Sequence, residues 1–188
     1  MKTIALTAVF SSDRAQTLES IDINHSHVTD EGILFPIYSL LKTSKKNAPV
    51  TVVKCTKSKD PSLNVCDYIV SYLNRTFPYR VKTVAKGHPK PRHLFLSAYT
   101  KKPMRRATIA KYLLKVMTLA GIDTSCFKAH SARGVGPSRM FKKGSSPHKI
   151  LVKGNWKHFK TFKRYYCREA EDSPEGQLIL DVTRKRRN

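Results

Sequence analysis

Acidic residues are scarce in this chain: 13 Asp and Glu stand against 36 Lys and Arg, leaving a formal charge of +23. A surface so charged seeks a polyanion, and nucleic acid is the first partner to expect. Cysteines are equally sparse. Cys55, Cys66, Cys126 and Cys167 form no C-x-x-C pair, which excludes a zinc ribbon and a dense disulfide framework and suits reduced, intracellular thiols. No apolar run approaches the roughly 20 residues needed to span a bilayer. Internal repeats are also absent. What is present is a chain of 188 residues with 40% apolar and 9% aromatic side chains. That is enough for one folded domain with a core, and too apolar for a disordered basic tail.

Residues 1–12 carry Lys2 followed by Ile4, Ala5, Leu6, Ala8, Val9 and Phe10, which fits a buried amphipathic helix or a short secretory signal. Residues 3–10 and 15–21 read as two helical pieces, broken at a polar Ser11-Ser12-Asp13 that is expected to cap the second. Arg14 sits at the break. Residues 33–38 and 50–53 read as antiparallel strands flanking a cationic turn, Lys42-Thr43-Ser44-Lys45-Lys46-Asn47. Pro61 opens a helix with apolar Leu63, Val65, Cys66, Ile69, Val70 and Leu73, expected to end before Pro78. Residues 80–92 read as a surface loop leading into a short strand, Leu94-Phe95-Leu96. Thr108 is expected to cap an amphipathic helix running to about residue 119, closed by Gly121. After His130 the pattern gives a helix to Gly144, a short one over 147–152 and another over 158–168, then a charged tail from 169 to 188.

His130-Ser131-Ala132-Arg133 sets an imidazole and a guanidinium three residues apart, on one helical face, which suits a phosphate. Alone, the pattern is equally explained by a surface histidine near an arginine. Its context narrows it. Gly144 follows His130 by 14 residues, Ile150-Leu151 begin at 20 and Trp156 stands at 26, ahead of Thr161-Phe162-Lys163-Arg164-Tyr165-Tyr166. This ordered run resembles the catalytic carboxyl end of tyrosine recombinases, the phage integrase family, and most closely the recombinases of DIRS-like and crypton mobile elements. Upstream, Arg14-Ala15-Gln16-Thr17-Leu18 resembles the segment that carries the family's first catalytic arginine, and Lys42-Thr43-Ser44 the turn that holds its catalytic lysine. Ala120-Gly121-Ile122-Asp123 and Phe127-Lys128-Ala129-His130 resemble the approach to H-x-x-R.

The resemblance implies an α+β, mostly α fold with a small antiparallel sheet. Residues 1–168 would form the catalytic domain, without the family's amino-terminal helical domain, and 169–188 a flexible tail. It also implies strand cleavage and rejoining in the integration of a mobile element, through a covalent 3′-phosphotyrosyl link that needs neither metal nor cofactor. Arg14 and Arg133 would clamp the phosphate oxygens, His130 would donate or shuttle a proton, and Trp156 would donate its indole N–H. Lys42 would protonate the leaving 5′ oxygen. Tyr166 would be the nucleophile by the mobile-element spacing, Tyr165 by the phage and bacterial spacing. Lys45, Lys46, Lys101, Lys102, Arg105, Arg106, Lys128 and Arg139 are the candidate DNA contacts. The expected partner is double-stranded DNA, bound by one copy or by a homo-oligomer in the nucleus, with no membrane and no small-molecule substrate.

Plainer readings stand beside these. Trp156 and both tyrosines suit core packing, Lys42 is one of three lysines in its turn, and Arg14 could pair with Glu19 or Asp22. His25-Ser26-His27 and His88 with His93 lack the Cys or carboxylate set that would complete a metal site. Two positions depart from the family. Asp13 is expected to pair with Arg14 and weaken its hold on phosphate, and Gly134-Val135-Gly136-Pro137 should break the helix after H-x-x-R or restart it with Pro137 in the first turn. Such departures fit a DNA-binding relic of a mobile element. A basic nucleic-acid-binding protein unrelated to recombinases would instead leave Arg14, Lys42, His130, Arg133 and Trp156 scattered in space.

Overall fold

A computed structural model describes residues 1–41, 44, 49–85 and 92–166. Its first element, α1 (Lys2–Ser11), turns Thr3, Ile4, Thr7, Ala8 and Ser11 inward, so this apolar stretch is a core helix. Ser12 ends α1 in the left-handed conformation (φ 62°), returning its N–H to the Ala8 carbonyl. The short α2 (Ala15–Glu19) starts at Arg14, whose backbone is extended. The expected side-chain cap is not made: Ser11 Oγ accepts instead from the Asp13 N–H at 3.2 Å.

Three antiparallel strands follow, β1 (His27–Thr29), β2 (Gly32–Ile37) and β3 (Thr51–Thr56), in the order β1-β2-β3. The β2–β3 pairing agrees with the sequence reading, with β3 running on to Thr56. Alternation places Ile33, Phe35 and Ile37 with Val53 and Cys55 on the buried face, where Ile33 opposes Cys55 and Phe35 opposes Val53. β1 carries no buried residue, which is why its pattern was silent. Its pairing stops at Leu34, so Pro36 lies where β2 has a free edge on one side. The cationic turn between β2 and β3, with Lys42, Lys45 and Lys46, lies outside the described residues except for Ser44.

The helix after Pro61 is longer than expected. A single 3-10 turn (Pro61–Leu63) leads into α3 (Val65–Ala85), which runs through Pro78. An interior proline costs about 3 kcal/mol. The offset lies two residues further on, where Arg80 is 2% exposed and donates through Nη1 to the His93 carbonyl (2.9 Å) and through Nη2 to the Leu94 carbonyl (2.8 Å). Bonds from a charged donor contribute about 1.5–3 kcal/mol each, enough to hold the helix past the proline. The expected strand at residues 94–96 is reduced to two isolated bridges, Asp22 to His93 and Leu96 to Pro103. Leu94, Phe95 and Leu96 are buried by side-chain packing rather than by a sheet.

α4 (Arg106–Leu119) buries Ile109, Leu113 and Met117. Thr108 lies inside it. Its cap comes from another element, the Glu19 carboxylate, which accepts from the Arg106 N–H at 3.0 Å and pairs with Arg105 at 3.5 Å. The expected helix from His130 to Gly144 is split: a 3-10 segment (Ala129–Gly134) is followed by α5 (Val135–Lys142), with Pro137 in the first turn of the new helix. α6 (Pro147–Gly154) and α7 (Phe159–Tyr165) complete the described chain. The main core gathers α1, α2, the sheet, α3 and α4, while Ile150, Trp156 and Phe162 form a second cluster with Met140, Phe141 and Tyr166 around them. No helix among the described residues is long and apolar enough to cross a membrane.

Arg80→Ala should leave the carbonyls of His93 and Leu94 unpaired and lower unfolding stability by about 3 kcal/mol. Denaturant titration checks this, and loss of helicity confined to the segment beyond Pro78 is the expected far-UV signature.

Candidate active site

Arg133 lies between the two clusters and is 3% exposed. Its Nε donates to the Ser12 carbonyl at the end of α1 (2.9 Å), and its Nη2 to the carbonyls of Gly154 and, at 3.4 Å, Asn155 at the end of α6. The Trp156 ring lies 4.6 Å from the guanidinium carbon and the Tyr166 ring 5.7 Å, with the two rings 4.9 Å apart. No carboxylate is within ion-pair distance of Arg133 among the described residues. Burial lowers its proton affinity, the neighbouring Arg14 lowers it further, and Tyr166 and Asp13 oppose both. The charge of Arg14 is therefore felt at Arg133, with little counter-charge nearby.

Small backbone residues make this geometry. Asn155 takes the left-handed conformation (φ 48°), ending α6 and folding Trp156 back over Gly154, where a Cβ would lie 1.7 Å from the indole ring. Trp156 is 8% exposed, and its indole N–H has no hydrogen-bond partner among the described residues. Ser12 Oγ is likewise buried and unpartnered. α7 then delivers two tyrosines to different surroundings. Tyr165 is 59% exposed beneath Arg164, whereas Tyr166 is half-buried against Trp156, its carbonyl accepting from Ser138 Oγ at 2.7 Å.

Of the residues singled out in the sequence, Arg133, Trp156 and Tyr166 come together, and the charge of Arg14 is felt at Arg133. His130 is exposed at the start of the 3-10 segment, one turn before Arg133. Lys42 lies outside the described residues, as do Lys45 and Lys46. Arg14 does not pair with Glu19 or Asp22: Glu19 holds Arg105, and Asp22 holds His25 (3.5 Å) and Arg92 (3.7 Å). Among the expected DNA contacts, Lys102, Arg106, Lys128 and Arg139 are exposed. Lys101 folds over the Tyr79 ring (4.2 Å) and donates to the Ala98 carbonyl, and Lys128 donates to the Thr124 carbonyl at 3.1 Å. Among the described residues no three His, Cys, Asp or Glu side chains group to hold a metal.

Asp13 departs from expectation. It forms no ion pair with Arg14; burial raises its pKa to about 6 against the opposing pull of Ser11, Arg133, Lys153 and Arg14. Lys153, half-buried on α6, is lowered by the same burial, with Asp13 opposing. Sequence reasoning missed Lys153 and the carbonyls that hold Arg133. Only Gly154-Asn155, a helix-stop pair directly before the Trp, signals them. Burial pushes the Cys55 thiol up to about 12, and the Cys66 thiol donates to the Cys55 carbonyl (3.0 Å), so both are inert core groups.

The chain belongs to the phage integrase family, which matches residues 8–172. It has the tyrosine-recombinase catalytic fold. Solved structures of similar shape include XerA recombinase, at TM-score 0.63 and 13% identity over 97% of this chain and 62% of that one. The Tn1549 transposon integrase in complex with transposon right end DNA aligns at TM-score 0.59 and 11% identity, over 95% and 57%. A lambda integrase dimer bound to a COC′ core site aligns at 0.56 and 12%, over 91% and 43%. The chain thus spans about two fifths to three fifths of the length of these proteins. No curated protein sequence matches it.

The native state binds the Asp13 proton more tightly than an unfolded chain, whose carboxyl titrates near 3.8. Ionising Asp13 therefore costs stability as pH rises from about 4 to about 6. Asp13→Asn should be the more stable protein at pH 7.5, by about 3 kcal/mol, with the advantage gone below pH 4. Paired thermal melts across that range check it.

Proposed function

We propose that this protein cleaves and rejoins DNA strands through a 3′-phosphotyrosyl intermediate. The observation that carries the reading is the buried, uncompensated Arg133 guanidinium beside Arg14, with the Trp156 indole and the Tyr166 ring against it. A buried cation satisfied only by carbonyls and ring faces keeps its charge for an anion. A phosphodiester would supply that charge and an acceptor for the unpartnered Trp156 N–H.

In the reaction, the Tyr166 hydroxyl oxygen attacks the phosphorus and the bond to the 5′ oxygen breaks. Negative charge growing on the non-bridging oxygens is met by Arg14 and Arg133, which is where most of the rate enhancement would arise. His130, exposed one turn before Arg133, carries the tyrosyl proton away from the attacking oxygen, and Lys42 protonates the departing 5′ oxygen. Attack by another 5′ hydroxyl reverses these steps and restores a continuous strand. The ring in contact with Arg133 belongs to Tyr166, whereas Tyr165 faces solvent, and this favours the spacing found in DIRS-like and crypton recombinases.

The biological setting belongs to the same proposal: integration of a mobile element, with double-stranded DNA as substrate and a DNA-bound homo-oligomer as the working form. The net charge of +23 and the exposed Lys102, Arg106, Lys128 and Arg139 support the DNA partner. Basic clusters at residues 101–106 and 184–187 support a nuclear location.

Incubation with a nicked duplex that loses its 5′ product should trap a covalent protein–DNA adduct resistant to denaturation. Tyr166→Phe should abolish the adduct and Tyr165→Phe should retain it. Salt-sensitive binding to the same duplex without an adduct would assign the protein to the relic class instead.

A further inference from the structure

Gly134 directly follows the H-x-x-R arginine and breaks the sequence pattern there. Its backbone gives no reason for a glycine: φ is −78° and ψ −17°, an ordinary right-handed conformation that alanine adopts more readily. The reason lies across the site. A Cβ on residue 134 would come within 2.9 Å of Tyr166 Cδ1, 3.0 Å of its Cβ and 3.3 Å of its Cγ. Two of these atoms lie at the root of the side chain, so rotating the ring relieves little, and the end of α7 itself would have to move. One turn further along, Ser138 Oγ donates to the Tyr166 carbonyl at 2.7 Å. Residues 134 and 138 share one face of the helical run, where one leaves room for the ring and the other fastens the backbone beneath it.

We propose that Gly134 and Ser138 form a seat that holds Tyr166 against Arg133 of its own chain, making both of them positioning residues for the nucleophile. The seat fixes which of two adjacent tyrosines reaches the guanidinium. It also fixes that the same chain supplies both groups, since only a residue without a side chain at 134 admits the α7 end so close. The mechanistic part of this proposal rests on Tyr166 being the nucleophile. The seating itself does not.

Tetranitromethane nitration of the full chain, mapped by tandem mass spectrometry, reads the seating, with the exposed Tyr165 as internal reference. Nicked-duplex cleavage and equilibrium binding of the same duplex read its consequence. Gly134→Ala should speed Tyr166 nitration at least threefold relative to Tyr165, slow adduct formation at least tenfold and leave duplex affinity within twofold. Ser138→Ala, which removes one half-buried hydroxyl, should shift nitration and cleavage the same way by a smaller factor, and it decides the matter if Gly134→Ala does not fold. Unchanged Tyr166 nitration and wild-type cleavage in the folded variants would overturn the proposal. Should the wild-type protein form no Tyr166 adduct, the proposed function fails while nitration still decides the seat.

Discussion

The architecture of the site depends on one buried guanidinium. Arg133 joins the end of α1, through the Ser12 carbonyl, to the end of α6, through the carbonyls of Gly154 and Asn155. Each such bond from a charged donor contributes about 1.5–3 kcal/mol, and each ring face about 0.5–2 kcal/mol. Against this stands a desolvation penalty of several kcal/mol for an ion taken out of water. Arg133 is thus held in place by carbonyls and ring faces, with no ion-pair partner among the described residues.

The surrounding elements serve that arrangement. The left-handed Ser12 turns α1 so that its last carbonyl faces Arg133, and the left-handed Asn155 does the same for α6 while laying Trp156 over Gly154. Arg14 follows closely on the first of these turns, and its charge is felt at Arg133 because the chain has just three residues, Ser12 to Arg14, in which to leave α1 and enter α2. Asp13 feels both charges as a carboxyl that burial discourages from ionising. It dilutes the positive site less than its sequence position implies, and most of all below pH 6.

Much of this was legible in the chain. The order of Arg14, H-x-x-R, Trp156 and the tyrosine pair pointed to a family, and alternation along residues 33–37 and 53–55 located the sheet, because one face of it is buried. What was not legible depends on long-range partners. Pro78 reads as a helix stop until Arg80 finds two carbonyls 13 and 14 residues on. Thr108 reads as a cap until the Glu19 carboxylate, 87 residues before Arg106, takes that place. Gly134 reads as damage until the Tyr166 side chain is seen against it. In each case local propensity lost to a tertiary contact that no window of sequence contains.

The central claim is that Arg133, Arg14 and Trp156 form a preassembled phosphate site. Trp156 is the sole tryptophan, so its indole N–H gives one unambiguous signal in a 1H–15N correlation spectrum, and titration with orthovanadate, a pentacoordinate phosphate mimic, reads it directly. The account predicts a large downfield shift of that signal and slowed solvent exchange, both lost in Arg14→Ala. An indole resonance indifferent to vanadate and to a nicked duplex would contradict it.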